Sequence, residues 1–348
     1  MSIRPRMTKQ EYDLWMKVKG NDFIIDQLSL LEKECEAAGI DIRNVRHYWY
    51  KSKKFSIFAK NQIKTYEHVR DEIVREMQRY SPSYPKIKRE KVKDGHLLVI
   101  DPSDIHIGKL SVAVETGHDY NIKIAQERVI DGIHALLAHS SGFPIDQILF
   151  VIGNDALHID TPFRKTTSGT PQDTDGMWHT AFHAAKEMYI QSLELLMQVA
   201  DVHVLYCPSN HDFSSGFFLA DTLNSWFRHS ENVTFDSSIA HRKYYRYHLN
   251  MIEADHGDGC KVKDTPMLMA TEQPRMWAET KGRESDKHHI HHKQNYGDLV
   301  GVNVQALRSP SPPDSWHDRN GFVNMPAIEG FVHSKTAGRV ASFTHYYE

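Results

Sequence analysis

Cysteine is scarce in this chain: Cys35, Cys207 and Cys260 are the only three among 348 residues, odd in number and far apart. That excludes a disulfide framework and a zinc site built from cysteine alone. Long hydrophobic runs are missing too. No stretch approaches the roughly 18–20 apolar residues that cross a bilayer, and the opening MSIRPRMTKQEYDLW lacks the apolar core of a secretory signal. The expected location is the cytoplasm, with no membrane as partner. Internal repeats and low-complexity tracts are absent as well. With 40% hydrophobic and 25% charged residues, the chain has the composition of a packed globular protein.

Histidine, by contrast, is abundant. It occurs 23 times, and imidazole is the side chain most used for metal ligation and for proton transfer near neutral pH. Charge is unevenly spread. Residues 1–94 hold 21 Lys+Arg against 14 Asp+Glu, leaving 21 against 31 for the rest, so the first part is about +7 and the remainder about −10, together the overall −3.

Two parts are expected. In residues 21–38, Ile24, Ile25, Leu28, Leu31 and Cys35 recur at helical spacing and Gly39 follows as a stop. A basic, aromatic stretch covers residues 43–61, and a second helical pattern runs over 62–80. The segment SPSYPKIKREKVKDG reads as a linker, which puts a small helical N-terminal domain at 1–94 and the main domain at 95–348. From His96 the pattern changes to short apolar runs, HLLVID (96–101), QILFVIG (147–153), VHVLYC (202–207) and LNMIEAD (249–255), the signature of buried strands. Helical patterns at 123–139 and 173–200 lie between them, and a shorter one is expected at 268–280. The fold class is therefore α/β, with ligands gathering at the carboxyl ends of strands.

Each expected strand runs into metal-binding residue types: Asp104-Ile-His106 after the first, Asp155 with His158 after the second, Asn210-His211-Asp212 after the third and His256-Gly-Asp258 after the fourth. His288-His289-Ile-His291-His292 comes last. Singly, each piece has a plain alternative. An Asn-His-Asp after a strand is commonly a turn with a helix cap, and a histidine tract can be a solvated loop. Five such pieces in order, each at a strand end or adjoining loop, favour a common site. His179 and His183, one turn apart, lack a nearby third ligand and are rejected as a site. Met177, Phe182, Met188, Leu195 and Met197 are read as core.

The ordered set resembles that of the calcineurin-like metallophosphoesterase superfamily, over roughly residues 96–295. TTSGTPQDTD (166–175) and the ending His291-His292-Lys293 are similar to its phage- and prophage-encoded exonuclease-like branch, related to the nuclease subunit of palindrome-cleaving DNA repair complexes. The resemblance implies a four-layer α/β/β/α sandwich and two divalent ions, manganese first, with iron, zinc, nickel or cobalt as alternatives. Asp104, His106 and His291 would hold one ion, Asn210, His256 and His289 the other, and Asp155 would bridge them. A pair of ions about 3.5–4 Å apart needs an anionic oxygen between them, and together they activate water toward phosphorus. His211 would contact the substrate phosphate as acid or stabiliser, with Asp212 orienting its imidazole.

Three features depart from the family pattern: Asn154 intervenes between Gly153 and Asp155, Ser209 stands in place of one glycine and His288 in place of another. His288 with His291 is the alternative register for the last motif. His158 and Asp160 are candidates beside the ions, Asp101 and Asp258 are candidate partners of ligating imidazoles, and Trp316, His317 and Arg319 are candidates for the substrate groove. Arg43, Arg46, Lys51, Lys53, Lys54 and Lys60, interleaved with Tyr48, Trp49, Tyr50, Phe55 and Phe58, supply phosphate contacts and stacking surfaces, so DNA is the expected partner. The alternatives are a phosphatase or phosphodiesterase for a protein or small nucleotide, and a catalytically degenerate nucleic-acid-binding protein. A homo-oligomer or a partner ATPase stays open.

Overall fold

The computed structural model describes residues 30–37, 47–51, 56–60, 82–90, 92–336 and 338–347. The chain divides into two compact units, Met1–Tyr80 and Ser81–Glu348.

In the first unit, residues 30–37 are helical, within the expected 21–38. The basic aromatic stretch forms an antiparallel hairpin of β1 (His47–Lys51) and β2 (Ser56–Lys60), with Trp49 opposite Phe58. The expected helical character of this part therefore misses a hairpin. Its aromatic and β-branched residues, HYWYK and SIFAK, favour extended backbone over helix. The helix expected at 62–80 lies outside the described residues.

In the second unit, residues 82–90 run extended along the body and are more than a linker. The Tyr84 ring stacks on Phe227 at 4.9 Å, and its hydroxyl reaches Glu194. Asn232 takes both backbone groups of Ile87, accepting from N–H at 2.8 Å and donating to the carbonyl at 3.0 Å.

The architecture is mixed α/β with two sheets. In the first, β3 (His96–Asp101), β4 (Ile145–Gly153), β5 (Asp201–Cys207) and β6 (Val233–Asp236) run parallel. The returning strand β12 (Ala327–Ser334) pairs antiparallel with β3, and β13 (Gly338–Tyr346) closes that edge. The second sheet has the order β10 (Gln294–Leu299), β11 (Val302–Ala306), β9 (Gly282–Lys287), β8 (Asn250–Ala254), β7 (Lys243–Tyr247).

Alternation of side chains sorts the core. Leu98, Ile100, Phe150 and Val204 pack against the helices Ile122–His139, Trp178–Val199 and Phe213–Phe227. Their neighbours Leu97, Val99, Leu149 and Leu205 turn the other way and meet Tyr247, Ile252 and Ala254 of the second sheet. Met251, Val302 and Val304 form a third cluster with Met269, packed by Met276 and Trp277. The helix expected at 268–280 is two, Thr265–Glu272 and Pro274–Glu279. Pro274, lacking an N–H, starts the second at its first turn.

Candidate metal centre

The candidate residues lie on loops that leave β3, β4, β5, β8 and β9, and backbone bonds fasten these loops together. Asp104 N–H donates to the Asn154 carbonyl at 2.7 Å, His106 N–H to the Asp155 carbonyl at 2.9 Å, and Asn154 N–H to the Cys207 carbonyl at 2.9 Å. The inserted Asn154 thus uses its backbone to tie three loops and leaves Asp155 at the centre. Gly153 turns at φ +86°, where a Cβ would lie 2.2 Å from the Cys207 carbonyl oxygen, so no other residue fits. Asp104, His106, Asp155, His289 and His291 have φ between +51° and +71°. Non-glycine residues adopt this region at a cost, and Asp and His accept it more readily than most.

The resulting side chains form two adjoining sets. In the first, His106 Nε2 and His291 Nε2 are 3.0 Å apart, and His291 Nε2 is 3.6 Å from Asp104 Oδ1. In the second, His256 Nε2 meets Asn210 Oδ1 at 2.7 Å, Asp155 Oδ2 at 3.2 Å and His289 Nδ1 at 3.2 Å. Asp155 Oδ2 is also 3.9 Å from His106 Nε2, so it stands between the sets. All seven residues named from the sequence come together, with His289 and His291 as the last pair. His288 is turned inward, its Nδ1 against the Asp255 carbonyl at 2.7 Å and its Nε2 against Asp101 Oδ2 at 3.1 Å. Asp101 therefore braces His288 and not one of the seven.

The donor set fits divalent cations. Asp155 Oδ2 is a buried carboxylate oxygen with no hydrogen-bond partner, an arrangement that calls for positive charge beside it, from a cation or from the His256 ring 3.2 Å away. A single N–H on His256 Nε2 cannot serve three acceptors, whereas donors each about 2.0–2.2 Å from a shared cation stand about 3 Å from one another. The groups Asp104/His106/His291 and Asp155/His256/His289 could each hold a metal ion, and so could His106/His158/His211. Burial, reinforced by neighbouring imidazoles, holds His106 and His291 well below their ordinary value, the neutral form that ligates. Burial also lifts Asp104 to about 7. For Asp155 burial pushes the same way, but His256 and His211 override it and keep the carboxyl well below its usual range. His256 is raised to about 9, with Asp155 and Asp104 outweighing burial.

The neighbours differ from expectation in places. Asp212 does not orient His211. Its carboxylate accepts from Ser209 Oγ at 2.6 Å and Leu157 N–H at 2.8 Å, while His211 Nδ1 donates to the His158 carbonyl at 2.9 Å. His211 Nε2 is left 4.0 Å from Asp155 Oδ2 at the half-buried edge of the site. Burial, strengthened by the Asp155 charge, raises Asp212 to about 7. Asp160 caps the helix Phe213–Phe227 from another loop, accepting from Ser214 and Ser215 N–H. Asp258, a candidate partner of a ligating imidazole, is exposed, and His256 Nδ1 nearby in sequence is buried without a hydrogen-bond partner. His158 Nδ1 faces His106 Nδ1 at 3.2 Å and fixes that ring. His179 and His183 are exposed and join none of the three groups found among the described residues.

Sequence reasoning missed Lys109, buried with its Nζ on the Pro312 carbonyl at 2.6 Å and 3.4 Å from Asp314 Oδ2. It missed Ser309 too, whose hydroxyl donates to the Asp104 carbonyl at 2.6 Å. Neither belongs to a recurring pattern; Lys109 lies three residues past His106, the only hint. On the short helix Ser315–Arg319, His317 stacks on His291 at 5.4 Å, Trp316 lines two cavities beside the centre, and Arg319 is exposed.

No protein-family model matches the chain, and no curated protein does. Among solved structures, it is similar to a Vps29 double mutant from Entamoeba histolytica, at 13% identity and a TM-score of 0.24, over 45% of this chain and 88% of that one. No helix among the described residues is long and apolar enough to cross a membrane.

Proposed function

We propose that the chain is a divalent-metal-dependent phosphodiesterase acting on nucleic acid, with DNA as the first candidate substrate and the cytoplasm as its place of action. The single observation that carries this reading is Asp155 Oδ2, buried, without a hydrogen-bond partner and set between two groups of ligand-type side chains. The helix–sheet–sheet–helix order of the packed clusters supports the four-layer form that the sequence resemblance implies.

Asp104, His106 and His291 would hold one ion and Asn210, His256 and His289 the other, with Asp155 shared; manganese suits this mixed nitrogen and oxygen set. Bound there, divalent ions supply Lewis-acid charge that acidifies water and offsets the negative charge growing on phosphoryl oxygens. His211 does the rest from its own geometry. Its Nδ1–H is committed to the His158 carbonyl, which leaves Nε2 beside the candidate ions; in the imidazolium form, Nε2–H would hydrogen-bond a phosphoryl oxygen or give its proton to the leaving oxygen. His158 and Ser209 hold His106 and Asp155 in place.

The test pairs metal analysis of the purified protein with manganese-supplemented hydrolysis of linear DNA, circular DNA and bis(p-nitrophenyl) phosphate. Asp155→Asn is expected to lose cation binding and diester hydrolysis by more than about 100-fold, beyond the roughly 10–100-fold that outer partners of ligands cost. A preference for phosphate monoesters would turn the reading to a phosphatase. Tight DNA binding with no turnover under any divalent ion would turn it to a degenerate binding protein.

A further inference from the structure

The short helix Ser315–Arg319 borders two cavities beside the centre. On one side is a cavity of about 580 Å³ whose wall includes His289 and His291, one from each ligand set. On the other is a cavity of about 290 Å³ that includes His158 and His211. Trp316 and His317 border both. A diester seated at the centre carries two substituents, and the two cavities give each its own side.

The larger cavity is walled by planar rings. Trp316 is 61% exposed and Phe322 54% exposed, and the two stack at 5.6 Å within 15° of parallel. Phe322 backs the indole, His317 meets it edge-on at 5.1 Å, and the Trp316 side chain otherwise stays largely exposed. The platform is anchored, because His317 lies on His291 and is held at Nδ1 by Asp314 at 2.7 Å, and Asp314 faces the buried Lys109. An exposed indole, backed by a parallel ring and next to the anchored His317, beside a candidate phosphodiesterase centre matches the flat π-face of a base, as in single-strand binding grooves.

We propose that Trp316, backed by Phe322, is a stacking platform for the nucleobase attached to the phosphate being cleaved, so that the preferred substrate is a phosphodiester carrying a base on the His289/His291 side. This rests on the phosphodiesterase reading above. Two measurements keep them separable. The first is calorimetric binding of thymidine 5′-monophosphate and of deoxyribose 5-phosphate, which lacks only the base. The second is the ratio of kcat/KM for thymidine 5′-(p-nitrophenyl phosphate) over methyl p-nitrophenyl phosphate with manganese. In Trp316→Ala, binding of the thymidine nucleotide weakens about 10-fold and the kinetic ratio falls by a similar factor, the range for losing one base–aromatic stack; Trp316→Phe recovers most of both. If the wild-type protein binds the two ligands equally, or if Trp316→Ala leaves both the affinity difference and the ratio unchanged, the platform is overturned. If neither ester is hydrolysed and the base-dependent binding is still lost in Trp316→Ala, the platform stands and the hydrolase reading fails.

Discussion

Ser209 shows how a single residue can depart from a pattern and still serve it. Its hydroxyl accepts from Asp155 N–H at 2.7 Å and donates to Asp212 at 2.6 Å, so the position where the pattern that the sequence resembles has glycine carries a brace in this chain. Ser209→Ala leaves a buried N–H and a buried carboxylate each short of a partner and is expected to lower unfolding stability by about 1–3 kcal/mol. Urea denaturation checks it, and an unchanged midpoint would show the brace to be idle. That seven ligand-type side chains would lie together was suggested by the resemblance and by their placement after successive apolar strands, and the structure does bring them together. The direction in which each neighbour points was not legible in the sequence. Asp212 follows His211 directly yet faces Ser209 and Leu157. His288 and His289 are adjacent, but the turn at His289, φ +71°, sends one to Asp101 and the other to the centre.

Among the elements, β9 was the least legible. Its sequence GRESDK has no apolar residue, yet its last four positions are buried. It is stable because its charges find partners inside: Lys287 Nζ lies 2.7 Å from Asp255 and 3.1 Å from Glu253, and Asp286 accepts from Gln305 at 2.6 Å. Lys287→Met strands two buried carboxylates beneath the loops that carry His256 and His289, and a loss of about 3–5 kcal/mol is expected. Chemical denaturation would test it, and a loss below 1 kcal/mol would mean that water already reaches the cluster. The apolar strands β3, β4 and β5 were legible because burial on both faces leaves continuous hydrophobic runs. On β12, His333 is held near 3, against 6.5 in its ordinary state, first by burial and then by Arg339. The folded chain keeps it neutral while the unfolded chain takes up a proton. Its contribution to stability is therefore full above pH 6.5 and is lost as pH falls toward 3. Wild type should lose up to about 1.4 kcal/mol per pH unit more than His333→Gln between pH 6 and 4, a difference that urea titrations at several pH values would reveal.

At the scale of the whole molecule, charge is divided along the chain, and the proposed action on nucleic acid gives that division a use. Residues 43–60 carry Arg43, Arg46, Lys51, Lys53, Lys54 and Lys60 with no acidic residue among them, while the part that bears the candidate centre is net negative. A net-negative unit repels a polyanion, and if the substrate is nucleic acid, as proposed, a basic stretch elsewhere in the chain would help to retain it. Within this stretch, residues 47–51 and 56–60 pair as the antiparallel strands β1 and β2. Replacing Lys51, Lys53, Lys54 and Lys60 together with alanine is expected to weaken DNA binding and to reduce the slope of log affinity against log salt by up to about 3, since each phosphate contact contributes about 0.7–0.9. Hydrolysis of bis(p-nitrophenyl) phosphate, too small to need that grip, should keep its kcat/KM. Fluorescence anisotropy on labelled DNA across a salt series gives the first number and a manganese-supplemented assay the second. A parallel fall in both would mean that the lysines support the fold of their own unit, and the negative unit would then need some other means of holding its polyanion.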